Sequence, residues 1–179
     1  MKRLHVVQAQ AGDVDAFESL VRQHTPAVYR VCFSLVGADL ASDMTQEAFV
    51  AAWRSLDRLG DPARFGAWIY RIAVNCCRTS LRRAPRIRDI SLDLNARERA
   101  RAVPTSARFE PQVELRATLM PALARLSFDH RTVLALHYAA DLPIRDVARV
   151  LDIPEGTAKS RLNAALSQVR LALEEPDRG

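Results

Sequence analysis

Apolar residues return at helical spacing over most of this 179-residue chain, and in one stretch the period fails. From Asp13 to Val36, Phe17, Leu20, Val21, Val28, Val31, Cys32 and Leu35 share a face, with Pro26 placed to kink or divide the helix. A second helix is predicted from about Ala41 to Leu56. There Met44, Ala48, Ala51 and Ala52 are near-periodic, and Phe49 and Trp53 stand four apart. Leu59 to Pro62 reads as a loop. A third helix follows from about Arg64 to Arg83, with Phe65, Trp68, Ile69, Ile72 and Cys76 toward the core. From Ala84 to Pro111 the prolines Pro85, Pro104 and Pro111 and many charges break the pattern, which reads as a linker. Periodicity resumes at Val113, Leu115, Leu119, Leu123 and Leu126, then at Val133, Leu134, Leu136 and His137. The expected fold is all-α: two small helical domains, residues 1–88 and 113–179, joined by a flexible linker at 89–112.

The segment from Leu142 to Arg170 has a finer pattern. Ile144, Val147, Ala148 and Leu151 fall on one face of a short helix. Asp152 to Gly156 makes a turn, and Ala158, Leu162, Ala165, Leu166 and Val169 form the stripe of a second helix. This is the spacing of a helix-turn-helix, whose second helix presents its first residues to base edges in the major groove. Lys159, Ser160 and Asn163 occupy those positions. Ser and Asn can hydrogen-bond base edges, and Lys can reach guanine or a phosphate. Arg145 and Arg161 are the expected phosphate contacts, with an internal salt bridge as the alternative for Arg161.

Charge agrees with a polyanionic partner. The net charge is +5 at pH 7, from 26 Lys and Arg against 21 Asp and Glu. The excess lies mainly before Leu92, where 13 basic residues face 9 acidic ones, so it is not a property of the helix-turn-helix alone. One source is a row in the third helix: Arg71, Asn75, Arg78 and Arg82 share a face, and Arg83 extends it. Three arginines and one amide in a row suit a phosphate-tracking surface with one hydrogen-bonding reader. A solvated helix face is the competing reading. Trp68 belongs to the apolar stripe rather than to a stacking platform, and Tyr70, on the flank, is open to either role.

Other chemistry is not indicated. Cys32, Cys76 and Cys77 are odd in number and have no metal-ligand spacing. The vicinal pair could sense oxidants, but Cys76 lies on the apolar face, which favours a structural thiol. His5, His24, His130 and His137 are scattered and form no nucleophilic or metal constellation. Met1 to Gln10 lacks the apolar run of a signal peptide, and no segment approaches a membrane span. The expectation is a cytoplasmic protein with no cofactor, no catalytic residue and no direct membrane insertion.

Three motifs carry a family resemblance. Asp43-Met44-Thr45-Gln46-Glu47-Ala48-Phe49-Val50-Ala51-Ala52-Trp53, Phe65-Gly66-Ala67-Trp68-Ile69-Tyr70-Arg71-Ile72-Ala73-Val74-Asn75 and Gly156-Thr157-Ala158-Lys159-Ser160-Arg161-Leu162 stand in the order and spacing of compact RNA polymerase sigma factors of the extracytoplasmic-function type. The chain resembles that family over nearly its whole length. The resemblance implies that Asp43, Gln46, Glu47 and Phe49 meet the polymerase clamp, with internal packing the stronger reading for Trp53. It implies that the loop from Leu59 to Arg64 and the helix through Asn75 capture the melted −10 strand. Asn75 would be the reader, and Arg64, Arg71, Arg78 and Arg82 would be phosphate contacts. Lys159, Ser160, Asn163, Arg161 and Arg145 would bind the −35 duplex. It also implies contact between the C-terminal domain and the polymerase flap, and an anti-sigma factor as a further partner.

One departure stands out: the family commonly carries a basic or aromatic pair where this chain has Asn163-Ala164, and Ala164 offers no polar contact. Two other classes remain to be separated. A helix-turn-helix regulator acting without polymerase would explain the second helix pair, but not the segment from Asp43 to Trp53. A decoy that holds polymerase without reading DNA would fit Ala164.

Overall fold

The computed structural model describes residues 2–83, 119 and 121–174, and these are helical with no strand. Helix α1 spans Lys2–Gln10, α2 Val14–Val36, α3 Ala38–Arg54 and α4 Phe65–Arg83. Two single 3-10 turns, Leu56–Arg58 and Pro62–Arg64, lie between α3 and α4. The second module holds α5 at Phe128–Leu134, a π-helical turn at Ala135–Ala139, α6 at Ile144–Leu151 and α7 at Glu155–Glu174. The proposed linker, with Val113 and Leu115, lies outside the described residues.

Local chemistry sets the boundaries. Asp13 caps α2, its carboxylate accepting the Ala16 N–H at 3.0 Å. The helix then runs through Pro26 without dividing. Gly37 alone separates α2 from α3, at φ 81°, a left-handed value that a side chain would resist. Ser127 caps α5 by accepting the His130 N–H at 3.2 Å. In the helix-turn-helix, Asp152 closes α6 in the left-handed region, with φ 56° and ψ 48°.

The N-terminal core is made where α2, α3 and α4 meet. Leu20, Val28, Val31, Cys32 and Leu35 from α2 face Ala41, Ala48 and Ala52 from α3 and Ile69, Ala73 and Cys77 from α4, all at 0–1% exposure. Each large aliphatic side chain so buried contributes about 1.5–3 kcal/mol. Helix α1, not predicted from the sequence, adds Val6 and Ala9 to this core. The seam of α4 runs one position round from the expected one. Cys77 is fully buried while Cys76 is half-buried, and Tyr70 is core rather than a stacking surface. In α7, Leu166 is 38% exposed rather than part of the buried stripe.

The two modules do not stand apart. Val133, Leu136, Val147 and Val150 join the same apolar cluster as the N-terminal helices. Leu126, Leu134 and Ala165 form a smaller core of the second module alone. Arg131 ties the modules together: its guanidinium donates to the Leu35 carbonyl at 3.1 Å, at the C-terminal end of α2, and to the Leu126 carbonyl at 3.1 Å. Burial pulls the Arg131 pKa down. Arg30 donates from Nε to the Ala139 carbonyl at 2.9 Å across the same contact.

Candidate nucleic-acid and polymerase surfaces

On α4, Arg71, Asn75, Arg78 and Arg82 do share a face, but two of the arginines are already partnered from the second module. Arg71 Nη2 lies 3.4 Å from Asp152 Oδ2 in the helix-turn-helix turn. Arg78 Nη2 lies 3.0 Å from Asp129 Oδ1, and its guanidinium sits 5.0 Å from the Phe128 ring centre. The Asn75 amide and Arg82 are exposed.

Before α4, the turn is built tightly. The Asp61 carboxylate accepts the Ala63 N–H at 2.9 Å and pairs with exposed Arg64 at 3.4 Å. Upstream, Gln10 Nε2 donates to the carbonyls of Leu56 at 3.0 Å and Leu59 at 2.8 Å. Sequence reasoning missed Gln10, because a bond across 46 or 49 residues leaves no local pattern.

The start of α7 presents a second face. Lys159 pairs with Glu155 at 2.7 Å, one turn back, and that contact holds the Glu155 carboxyl below its ordinary range. Ser160 Oγ donates to the Thr157 carbonyl at 3.0 Å and could still accept a bond, and Ser160 and Asn163 are exposed. Arg145 stands in the first turn of α6, 67% exposed and 4.0 Å from Asp146. Arg161 takes the alternative that its position left open, an internal bridge to Asp129 Oδ2 at 3.3 Å. Asp129 therefore touches both Arg78 of α4 and Arg161 of α7.

A third surface lies between α2 and α3. It is an open apolar groove of about 570 Å³, lined by Phe17, Tyr29, Gln46, Phe49, Val50 and Trp53 among others. Asp43, Gln46 and Glu47 are exposed along α3. The aromatic pair reverses the expected order: Phe49 is 7% exposed and forms part of the groove wall, whereas Trp53 is 39% exposed beside Phe17, ring centres 4.8 Å apart. Trp53 is thus the more accessible of the two.

The remaining special residues are structural. Burial, with Glu47 and Cys32 adding to it, pushes the Cys76 thiol up to about 11, and hydrogen bonding to Cys32 together with burial raises Cys77. Neither thiol is poised as a nucleophile. His137 Nδ1 lies 2.8 Å from the Leu142 carbonyl, and His24 stacks obliquely on Phe65 at 5.3 Å. Among the described residues no group of His, Cys, Asp or Glu could hold a metal ion, and no helix is long and apolar enough to cross a membrane.

Comparison with known proteins matches these surfaces to two family models: Sigma-70 region 2 over residues 20–87, and Sigma-70 region 4 over residues 122–171. The chain is 32% identical over 170 residues to the ECF RNA polymerase sigma factor SigL of Mycobacterium tuberculosis, covering 93% of this chain and 94% of that protein. It is 27% identical to SigW of Bacillus subtilis, with 98% of each covered. Among solved structures it is similar to CnrH in complex with the cytosolic domain of CnrY, with a TM-score of 0.72, 26% identity and 97% of each chain covered.

Proposed function

This chain belongs to the extracytoplasmic-function family of RNA polymerase sigma factors, and from that premise we propose how its surfaces divide the work of a promoter-specificity subunit. A sigma factor joins core RNA polymerase and directs it to promoters through −35 and −10 elements. Residues 1–88 are proposed as the polymerase- and −10-binding domain, 89–112 as the linker and 113–179 as the −35-binding domain. The phosphodiester chemistry belongs to the polymerase, and this chain supplies recognition. The proposed site of action is the cytoplasm.

Asp43, Gln46 and Glu47 on α3 are the proposed clamp contacts, with Trp53 added and Phe49 acting as the wall behind them. Their exposure on one helix beside an open apolar groove supports that assignment. Asn75 is the proposed −10 reader, flanked by Arg64, Arg71, Arg78 and Arg82 as phosphate contacts. The loop from Leu59 to Arg64 is proposed to help capture a base turned out of the stack, at a cost of a few kcal/mol that contacts and phosphate neutralisation offset. Lys159, Ser160 and Asn163 are the proposed −35 readers, with Arg145 beside them. Arg161 joins the phosphate contacts only when it leaves Asp129.

The observation that carries the reading is the separation of two nucleic-acid faces onto two helices, α4 and α7, in different modules. That separation also sets a requirement. Elements named −35 and −10 lie about 25 base pairs apart, roughly 85 Å of B-form DNA at ~3.4 Å per pair. Here the α4 face touches the helix-turn-helix turn through Arg71 and Asp152 at 3.4 Å. This closed arrangement cannot occupy both elements, so the modules separate on the way to a promoter. An inhibitory anti-sigma partner is proposed to act on this equilibrium.

The test is run-off transcription with purified core polymerase, this chain and fragments of the source genome. Discrete chain-dependent starts sharing two upstream elements are the expected result. Core binding without starts would point to a decoy, and duplex binding without any core binding to a polymerase-free regulator.

A further inference from the structure

Helix α1 lies outside the span, residues 20–87, that matches the region 2 family model. Yet it packs beside both 3-10 turns ahead of α4 and hydrogen-bonds the backbone there through one side chain. Gln10 is half-buried, and its two amide hydrogens match the two carbonyls it meets, Leu56 at 3.0 Å and Leu59 at 2.8 Å. These carbonyls bracket the 3-10 turn Leu56–Arg58 and end where the exposed Gly60-Asp61 corner begins. Leu56 and Leu59 are themselves buried, so their carbonyls stand at the edge of the core, where an unpaired acceptor is costly.

The other end of the loop is fixed within itself, by Asp61 accepting the Ala63 N–H at 2.9 Å. The upstream turn has backbone bonds but no side-chain cap of its own. The Leu56 carbonyl accepts one backbone bond, from the Leu59 N–H at 3.2 Å, and the Gln10 amide supplies the rest. Gln10 is held in place by its own helix, through Val6 at 1% and Ala9 at 3% exposure in the core. The chain of support runs from the core to α1, from α1 to Gln10, and from Gln10 to the loop.

We propose that Gln10 is a positioning residue for −10 recognition: it sets the geometry of the loop from Leu59 to Arg64, so that α1 is part of the −10 reader. This rests on the reading of that loop as the −10 capture element. A pocket that accepts an extruded base discriminates only if its walls are held before the base arrives. Loss of the brace would leave Asp61 and Arg64 in place on average but spread over several arrangements. Preference among bases at the captured position would fall, while polymerase binding through α3 and −35 reading through α7 would not.

The experiment uses the full chain with core polymerase and a promoter recovered by chain-dependent run-off. Templates differing at single −10 positions compete in one reaction, and the ratio of transcripts gives the preference. Gln10→Met keeps the side-chain length and removes both donors; Gln10→Lys restores donors. The expected result is a loss of about tenfold in −10 preference for Gln10→Met, the scale of one hydrogen-bonded brace. The −35 preference and core affinity stay unchanged, and Gln10→Lys recovers the preference. A preference ratio is insensitive to general phosphate attraction, so the added charge of lysine cannot mimic that recovery. Unchanged −10 preference in Gln10→Met, with a loss in Asp61→Ala, overturns the role of Gln10 and leaves the loop reading standing. No change in either variant overturns the loop reading, and the proposal with it. An equal fall in −10 preference, −35 preference and core affinity overturns positioning in favour of general stability.

Discussion

The two proposed nucleic-acid faces of this chain differ in what already occupies them. On α4, Arg71 and Arg78 are held by Asp152 and Asp129 of the other module. On α7, Lys159 is held only by Glu155 on its own helix, and Ser160 and Asn163 face outward. The proposed −35 readers are thus ready in the closed chain, apart from Arg161, which Asp129 holds at 3.3 Å, whereas the proposed −10 face is partly neutralised by the other module. The ion pairs behind this difference are half exposed, so each contributes about 0.2–1 kcal/mol. The apolar cluster carries most of the closed state, and the ion pairs decide which groups are unavailable within it.

The largest effect should come from preventing separation. In a Cys76→Ser background, cysteines introduced at Arg71 and Asp152 and joined by a short bifunctional thiol reagent should abolish run-off initiation. Initiation that persists in the fully crosslinked chain would refute the opening requirement. Next, Asn75→Ala should lower discrimination at the −10 element by about 10–100-fold, the range for a lost base reader. Core affinity, measured in parallel, should hold; equal loss of both removes Asn75 from the reading role. Lys159→Ala should reduce −35-dependent initiation by about tenfold and leave −10 preference alone. Unchanged transcription from a cognate promoter would sink that assignment.

A smaller effect sharpens the contrast between the faces. Asp152→Asn frees Arg71 alone and should raise polymerase-free binding of a single-stranded −10 oligonucleotide by about twofold to fivefold, with duplex −35 binding unmoved. Asp129→Asn frees Arg78 and Arg161 together and should raise both. If the two variants behave alike on the −35 duplex, the shared role of Asp129 is wrong.

Much of this was legible in the sequence because it is local. The helix start at Asp13, the turn at Asp152 and the row Arg71, Asn75, Arg78 and Arg82 follow from spacing and residue type. Helix α1 was not legible, because among its described side chains only Val6 and Ala9 are buried, while Leu4 and Val7 remain half exposed or more. The seam of α4 was misjudged for a different reason. Ala73 carries little weight in a hydrophobic count, yet helices approach most closely where such small residues sit, and the seam follows Ile69, Ala73 and Cys77. The same effect in α3, with Ala41, Ala48 and Ala52 at the contact, leaves Trp53 on the outer margin. Pairings across 51 and 81 residues, Arg78 with Asp129 and Arg71 with Asp152, have no local signature and needed the folded chain.

The shared apolar cluster has a thermodynamic consequence. When only the open form engages a promoter, the apparent dissociation constant is the intrinsic one divided by the open fraction. A closed form favoured by about 1.4 kcal/mol leaves roughly a tenth of the molecules competent, and weakens apparent binding about tenfold. Any ligand that binds only the open chain recovers that factor for every other such ligand, and the recovery is reciprocal. Polymerase and promoter DNA would then strengthen each other's hold on this protein by equal amounts, through Leu136 and its neighbours, without either touching the other.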